Sequence, residues 1–184
     1  MERIRSVMGR NTPALLWYLG NCLVDPHNSS YVVTILGPSA TGKSTLMSLI
    51  SQCFNGKSAT LPAGFVTGDS ELTAAQISSL TEARIAQSSD IEHENNRGIS
   101  KQALKTISGG DPVLGEDGET IPLSITLLYT TNSLPSPNTP DMWVRKEVVK
   151  RYTVLSTEAR FLANNMLMPP ITDSDEGAIL EAAV

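Results

Sequence analysis

Gly37-Pro38-Ser39-Ala40-Thr41-Gly42-Lys43-Ser44-Thr45 satisfies G-x-x-x-x-G-K-[ST], the pattern of a phosphate-binding P-loop. Its flanks have the right character. Tyr31-Val32-Val33-Thr34-Ile35-Leu36 reads as a buried strand, and the residues after the motif place Leu46, Leu49, Ile50, Cys53 and Phe54 on one helical face. Glycines at the turn let the backbone curl until its N–H groups and the helix N-terminus point at a polyphosphate. Lys43 then reaches the β- and γ-phosphates, and the Ser44 hydroxyl ligates Mg²⁺. The stretch predicts a site for ATP or another nucleoside triphosphate with Mg²⁺, formed by residues 37–45.

Outward from the motif, strands and helices alternate. Thr12-Pro13 caps a helix over 14–24 that carries Leu15, Leu16, Leu19 and Leu23, and Asp25-Pro26-His27-Asn28 breaks the chain before the P-loop strand. Asn55-Gly56 ends the P-loop helix. Thr73 and Gln76 form a capping box for a short helix to about residue 80. A weak strand is expected over 84–90, a helix over 100–107 closed by Gly109-Gly110, and a clear strand over 121–131. A loop with Pro135, Pro137 and Pro140 follows, then a strand over 148–155 and a helix over 158–168 stopped by Pro169-Pro170. This order predicts an α/β fold with a mostly parallel sheet flanked by helices. We divide the chain into a helical lead-in (1–29), a P-loop core (30–156) and a C-terminal helix with an acidic tail (157–184).

The 184 residues suit one α/β unit with a sizeable core. The formal net charge of −5 argues against a protein that coats nucleic acid indiscriminately. Asp173, Asp175, Glu176 and Glu181 in the tail leave a net −1 on the remainder, where basic residues cluster over 97–105 and 145–151. Cys22 and Cys53 are too few for a disulfide framework, and His27 and His93 lack metal-ligand spacing. No apolar run is long enough for a membrane span and no apolar segment follows Arg3, Arg5 and Arg10, so a cytoplasmic or host-cell replication site is expected rather than secretion or a membrane.

Hydrolysis needs more than a cradle: an acid for Mg²⁺ or water, a polar group near the γ-phosphate and commonly an arginine. In open parallel sheets these sit at strand C-terminal ends beside the P-loop. Ser88-Ser89-Asp90-Ile91-Glu92 supplies two carboxylates at one such end, and Tyr129-Thr130-Thr131-Asn132 an amide at another.

Four ordered segments resemble the superfamily 3 helicases, in particular the helicase domain of phage, plasmid and large-DNA-virus primase-helicases. The P-loop is the first. Arg84-Ile85-Ala86-Gln87-Ser88-Ser89-Asp90-Ile91-Glu92 is similar to that family's Walker B segment, with Asp90 where Glu is usual. Leu104-Lys105-Thr106-Ile107-Ser108-Gly109-Gly110-Asp111-Pro112-Val113 resembles a signature of the form LK-x-[IL]-[ST]-GGDPI. Leu127-Leu128-Tyr129-Thr130-Thr131-Asn132-Ser133-Leu134-Pro135 is similar to motif C, whose Asn is sensor 1. Val149-Lys150-Arg151-Tyr152-Thr153-Val154-Leu155 resembles a double-arginine strand whose second Arg is the finger, with Lys150 in place of the first.

The resemblance covers most of the chain and implies an AAA+ P-loop NTPase with a five-stranded sheet. It also implies hexameric rings of identical subunits, ATP hydrolysed between subunits and single-stranded DNA moved through the channel. Carried over residue by residue, it makes Lys43, Asp90, Glu92, Asn132 and Arg151 the catalytic set and Ser44 with Asp90 the Mg²⁺ ligands. Either Asp90 or Glu92 is the Walker B acid. Lys101, Lys105 and Asp111 would lie toward DNA. The family's channel hairpin after GGDPI is usually basic, whereas here Leu114-Gly115-Glu116-Asp117-Gly118-Glu119-Thr120 contains no Lys or Arg, and acids beside phosphates weaken binding. With no primase or origin-binding segment in these residues, a piece of a larger replication protein, with primase or other replication proteins as partners, and a stand-alone motor are both open. So are two other classes: a P-loop nucleotide or small-molecule kinase with residues 145–151 as lid, and an ATP-binding assembly module without translocation.

Overall fold

The computed structural model describes residues 1–26, 31–89, 100–115, 118–133 and 152–157. Asp90, Glu92, Arg151, both histidines, the Pro-rich loop and the expected helix over 158–168 lie outside the described residues.

The chain opens with helices α1 (Glu2–Met8) and α2 (Thr12–Val24), the latter with Pro13 in its first turn. Strand β1 (Val32–Leu36) leads through the P-loop into α3 (Lys43–Cys53). Next come β2 (Ser58–Thr60), α4 (Ala63–Thr67), α5 (Ala74–Glu82) and β3 (Ile85–Ser88). Helix α6 (Lys101–Gly109) precedes β4 (Pro112–Leu114) and β5 (Thr120–Pro122), and β6 (Thr126–Thr131) and β7 (Tyr152–Ser156) complete the order. The Thr73–Gln76 capping box of α5 has both of its reciprocal bonds, and Gly110 closes α6 in the left-handed conformation.

Five strands form one sheet in the order β2-β3-β6-β1-β7, with every pairing parallel. This is the fold class expected from the sequence, an α/β architecture with a five-stranded parallel sheet between helices. Strand periodicity of two sorts the core. Val33 and Ile35 of β1 join Leu15, Leu46, Leu49 and Leu155 in one buried cluster, under α1, α2 and α3. Val32 joins Phe65, Leu80, Leu104, Ile107 and Tyr129 in the other, under α4, α5 and α6. Coverage on both faces is why β1 reads as a nearly continuous apolar run and β6 is buried along its whole length.

Two features depart from the expected pattern. The strand anticipated over 121–131 is two elements. Thr120–Pro122 pairs antiparallel with β4 as a hairpin, and only Thr126–Thr131 enters the main sheet. Pro122 lacks an N–H and so ends the first piece, while Ile125 N–H bonds the carbonyl of Ile107 at 3.0 Å and carries the chain to the sheet. The short β2 and α4 were also unsignalled. β2 has three residues, too few for a period to show.

Candidate nucleotide site

Parallel pairing brings four strand ends to one edge. Leu36 lies in register with Thr131 on one side and Ser156 on the other, and Ser88 with Tyr129 one strand further. The P-loop leaves β1 at this edge. Its turn uses positive φ at Ala40 (60°) and Gly42 (84°), the latter immediately before α3. Thr41 Oγ1 donates to the Pro38 carbonyl at 2.9 Å and stiffens the loop.

Lys43 is the first residue of α3, and its side chain is only 5% exposed. A buried ammonium needs compensating acceptors. Lys43 Nζ donates to the carbonyls of Gly37 and Pro38, both at 2.7 Å, and to Asn132 Oδ1 at 2.8 Å. Asn132 stands just past β6, 89 residues along the chain from Lys43. Its turn is shaped by Thr131, whose Oγ1 donates to Ser133 O at 2.8 Å and accepts from Ser133 N at 3.3 Å. Gly37 N–H bonds Thr131 O at 3.1 Å, so the P-loop and this turn are joined by backbone as well as side chain.

Thr157, just past β7, is a contributor that sequence reading missed. Its N–H bonds the Leu36 carbonyl at 2.8 Å, and its hydroxyl packs so closely on Gly37 that a Cβ there would lie 1.9 Å from Oγ1. Glycine at the first motif position is required by this contact, quite apart from phosphate approach. No sequence signal marks Thr157, because the contact depends on β7 lying beside β1. A second unsignalled feature is a cluster of buried hydroxyls across three strands. Thr34 Oγ1 donates to Tyr152 Oη at 2.9 Å, and the Tyr152 and Tyr129 hydroxyls lie 2.8 Å apart. Burial raises the pKa of both tyrosines, Tyr129 most strongly, so both remain protonated well beyond neutral pH.

No family model matches the sequence, and no curated protein does. Solved structures do. The apo A form of the NrS-1 C-terminal region superposes with a TM-score of 0.63 at 13% identity, over 99% of this chain and 42% of that one. This chain has the fold of a part of the NrS-1 C-terminal region. A second apo structure of that NrS-1 region gives a TM-score of 0.60 at 13% identity with the same coverage. The X-ray structure of JCV helicase aligns at 14% identity with a TM-score of 0.47, over 79% of this chain and 40% of that one. The chain thus spans about two fifths of the NrS-1 region, 41–42% of its length.

The loop on this NrS-1-like sheet has what a polyphosphate requires: an ammonium at its base, left-handed Gly42 and the N-terminus of α3. Ser44, exposed in the first turn, offers a hydroxyl suited to Mg²⁺, and Thr45 beside it is half-buried. Ser39 and Ala40 expose the crest of the loop. No group of three His, Cys, Asp or Glu that could hold a metal occurs among the described residues. Mg²⁺ commonly uses one or two carboxylates plus phosphate oxygens, so such a group is not needed. Ser88 Oγ is 1% exposed at the end of β3 and has no hydrogen-bond partner among the described residues.

The expected DNA-facing residues lie elsewhere. Lys105 is exposed on α6, opposite the buried Leu104 and Ile107, and Asp111 is half-buried where α6 gives way to β4. The side chain of Lys101 is outside the described residues. The segment after the GGDP signature is a hairpin, with Leu114 69% exposed. Tyr152 opens β7 at the sheet edge remote from the P-loop, in register with Val32. No helix among the described residues is long and apolar enough to cross a membrane.

Proposed function

We propose that this chain is the ATPase motor core of a superfamily 3 DNA helicase or translocase acting in viral, phage or plasmid replication. The observation that carries the reading is the 2.8 Å contact of Lys43 Nζ with Asn132 Oδ1. Two segments far apart in sequence, the P-loop read from its own residues and the Asn132 turn assigned through the family resemblance, meet at adjacent strand ends of a parallel sheet, where such chemistry is built.

In this reading residues 37–45 cradle the phosphates and Lys43 neutralises charge on the β/γ oxygens. Ser44 and Asp90 hold Mg²⁺, and Asp90 or Glu92 orients the attacking water. Asn132 provides a polar contact near the γ-phosphate. Arg151 serves a neighbouring subunit. An arginine acting between copies of the chain, as in a hexameric ring, is what the resemblance of residues 149–155 to the double-arginine strand implies. Lys101 and Lys105 line the DNA path beside Asp111 and the β4–β5 hairpin, and primase or other replication proteins are the expected partners.

One observation favours a second reading. The hairpin loop carries acids and no Lys or Arg, which fits an ATP-binding assembly module without translocation. Steady-state ATPase with and without single-stranded DNA separates the two, and a nucleoside monophosphate acceptor in the same assay tests for a kinase. Stimulation by DNA is the expected result. Acceptor phosphorylation, or turnover indifferent to DNA, would overturn the helicase reading.

A further inference from the structure

An ammonium has three N–H bonds. On Lys43 three protein oxygens already sit at bonding distance: Gly37 O and Pro38 O at 2.7 Å and Asn132 Oδ1 at 2.8 Å. The three acceptors differ in how easily they withdraw. Gly37 and Pro38 contribute backbone carbonyls of a loop that is fixed to Thr131 O through Gly37 N–H and packed against the Thr157 hydroxyl. Asn132 contributes an exposed side chain at a turn, which leaves by rotating its own side-chain torsions. Because an ammonium accepts nothing, the carboxamide must present its oxygen to Lys43 and turn its NH₂ away.

We propose that Asn132 is a tether on Lys43 that a nucleotide displaces, its amide oxygen and a phosphate oxygen competing for the same N–H. The exchange needs only a β-phosphate, so a nucleoside diphosphate with Mg²⁺ drives it as a triphosphate does. Once displaced, the Asn132 carboxamide is free to turn toward the nucleotide. Binding at the P-loop is thereby reported to the turn after β6. In this role Asn132 is a positioning residue acting through Lys43, and the inference rests on the P-loop reading above. A residue that only touched the γ-phosphate would leave diphosphate affinity unchanged when truncated. A competitor gives the opposite sign, because its removal takes away a protein oxygen that a phosphate oxygen would otherwise have to displace from Lys43.

Calorimetric titration of the full chain with ADP and Mg²⁺ tests this. Asn132→Ala is expected to tighten ADP binding by about three- to tenfold, a factor held down by the exposure of the amide to water. Asn132→Ser, too short to reach Lys43, should behave alike and guards against a peculiarity of one variant. In a Lys43→Ala background the same changes should leave affinity untouched, since the effect passes through the ammonium. Unchanged or weaker ADP binding in both Asn132 variants, with wild type binding normally and Lys43→Ala impaired, would overturn the tether and leave the P-loop reading standing. A wild-type chain that binds neither ADP nor ATP would overturn both.

Discussion

At the P-loop end of the main sheet the polar groups close on one another, whereas in the β4–β5 hairpin they face solvent. Lys43 is 5% exposed with three protein acceptors, Gly37 is bonded to Thr131 and packed on Thr157, and Thr131 shapes its own turn. Of the six strand residues of the hairpin, Val113 and Ile121, paired in register, are turned partly inward, while Pro112, Leu114, Thr120 and Pro122 are exposed. Two three-residue strands have little independent stability. The contrast teaches where each task sits. In the proposed reading the held groups serve phosphate chemistry, which needs them fixed in place, and the hairpin serves a partner, as elements drawn from the less stable parts of a fold do.

The largest expected effect breaks the closed end outright. Lys43→Ala should abolish ATP turnover and weaken nucleotide binding, because it removes the only described cation at the loop; wild-type turnover in this variant would end the assignment. Arg151→Ala should also abolish turnover while ATP binding survives, since fingers contribute about 10³–10⁵ in rate in GTPases. Under the proposed reading, mixed assemblies of the two inactive variants should recover partial activity, because some subunit boundaries then pair an intact P-loop with an intact arginine. Demonstrated mixed assembly without any recovery would remove the trans role.

Next comes Gly37→Ala, which forces a methyl group onto Thr157 Oγ1. Overpacking of this kind costs about 1–3 kcal/mol, visible as lower thermal stability and weaker nucleotide binding. Adding Thr157→Ala should restore much of the loss. If it restores nothing, the sensitivity of Gly37 lies with phosphate approach and not with the β7 contact.

Tyr152→Phe and Tyr129→Phe probe the hydroxyl cluster that joins β1, β6 and β7. Each should cost about 1–3 kcal/mol in chemical denaturation, since the remaining hydroxyls lose a partner in a dry environment. The clusters also set a pH dependence. Both tyrosines have folded pKa values raised above the ordinary 10.0, so their contribution is complete below pH 10 and is lost as pH rises beyond it, where the unfolded chain ionises first. The fall in stability above pH 10 should be shallower in either Phe variant than in wild type, which denaturation midpoints across that range would measure.

The smallest effect belongs to the open region. Lys105→Ala should weaken single-stranded DNA binding and flatten its salt dependence by about one ion's worth, with no change in sequence preference. An unaltered salt slope would move the DNA path away from α6 and the hairpin, toward Arg145 and Lys146.

Local patterns carried much of the fold into the sequence. The P-loop between a β-branched strand and an apolar-faced helix, the Thr73–Gln76 box and the glycines after α6 are each decided within a few residues, by steric and hydrogen-bonding preferences that operate at short range. Asn132 was legible as a polar group at a strand end, and its partner only by analogy. The segment over 121–131 was misread as one strand because apolar residues run through it, and only pairing with β4 reveals that Thr120–Pro122 belongs to a hairpin.

What the sequence by itself determined is the alternation of strands and helices, short of β2, α4 and the β4–β5 hairpin, and the loop whose residues match a phosphate cradle. Tertiary structure alone decided the order β2-β3-β6-β1-β7, and with it the meeting of Lys43 with Asn132, the packing of Thr157 on Gly37 and the linking of Thr34, Tyr129 and Tyr152. The reason is physical. Each of these contacts joins residues brought together by lateral strand pairing and two-sided burial, and a one-residue slip of register would turn every side chain of a strand to the other face.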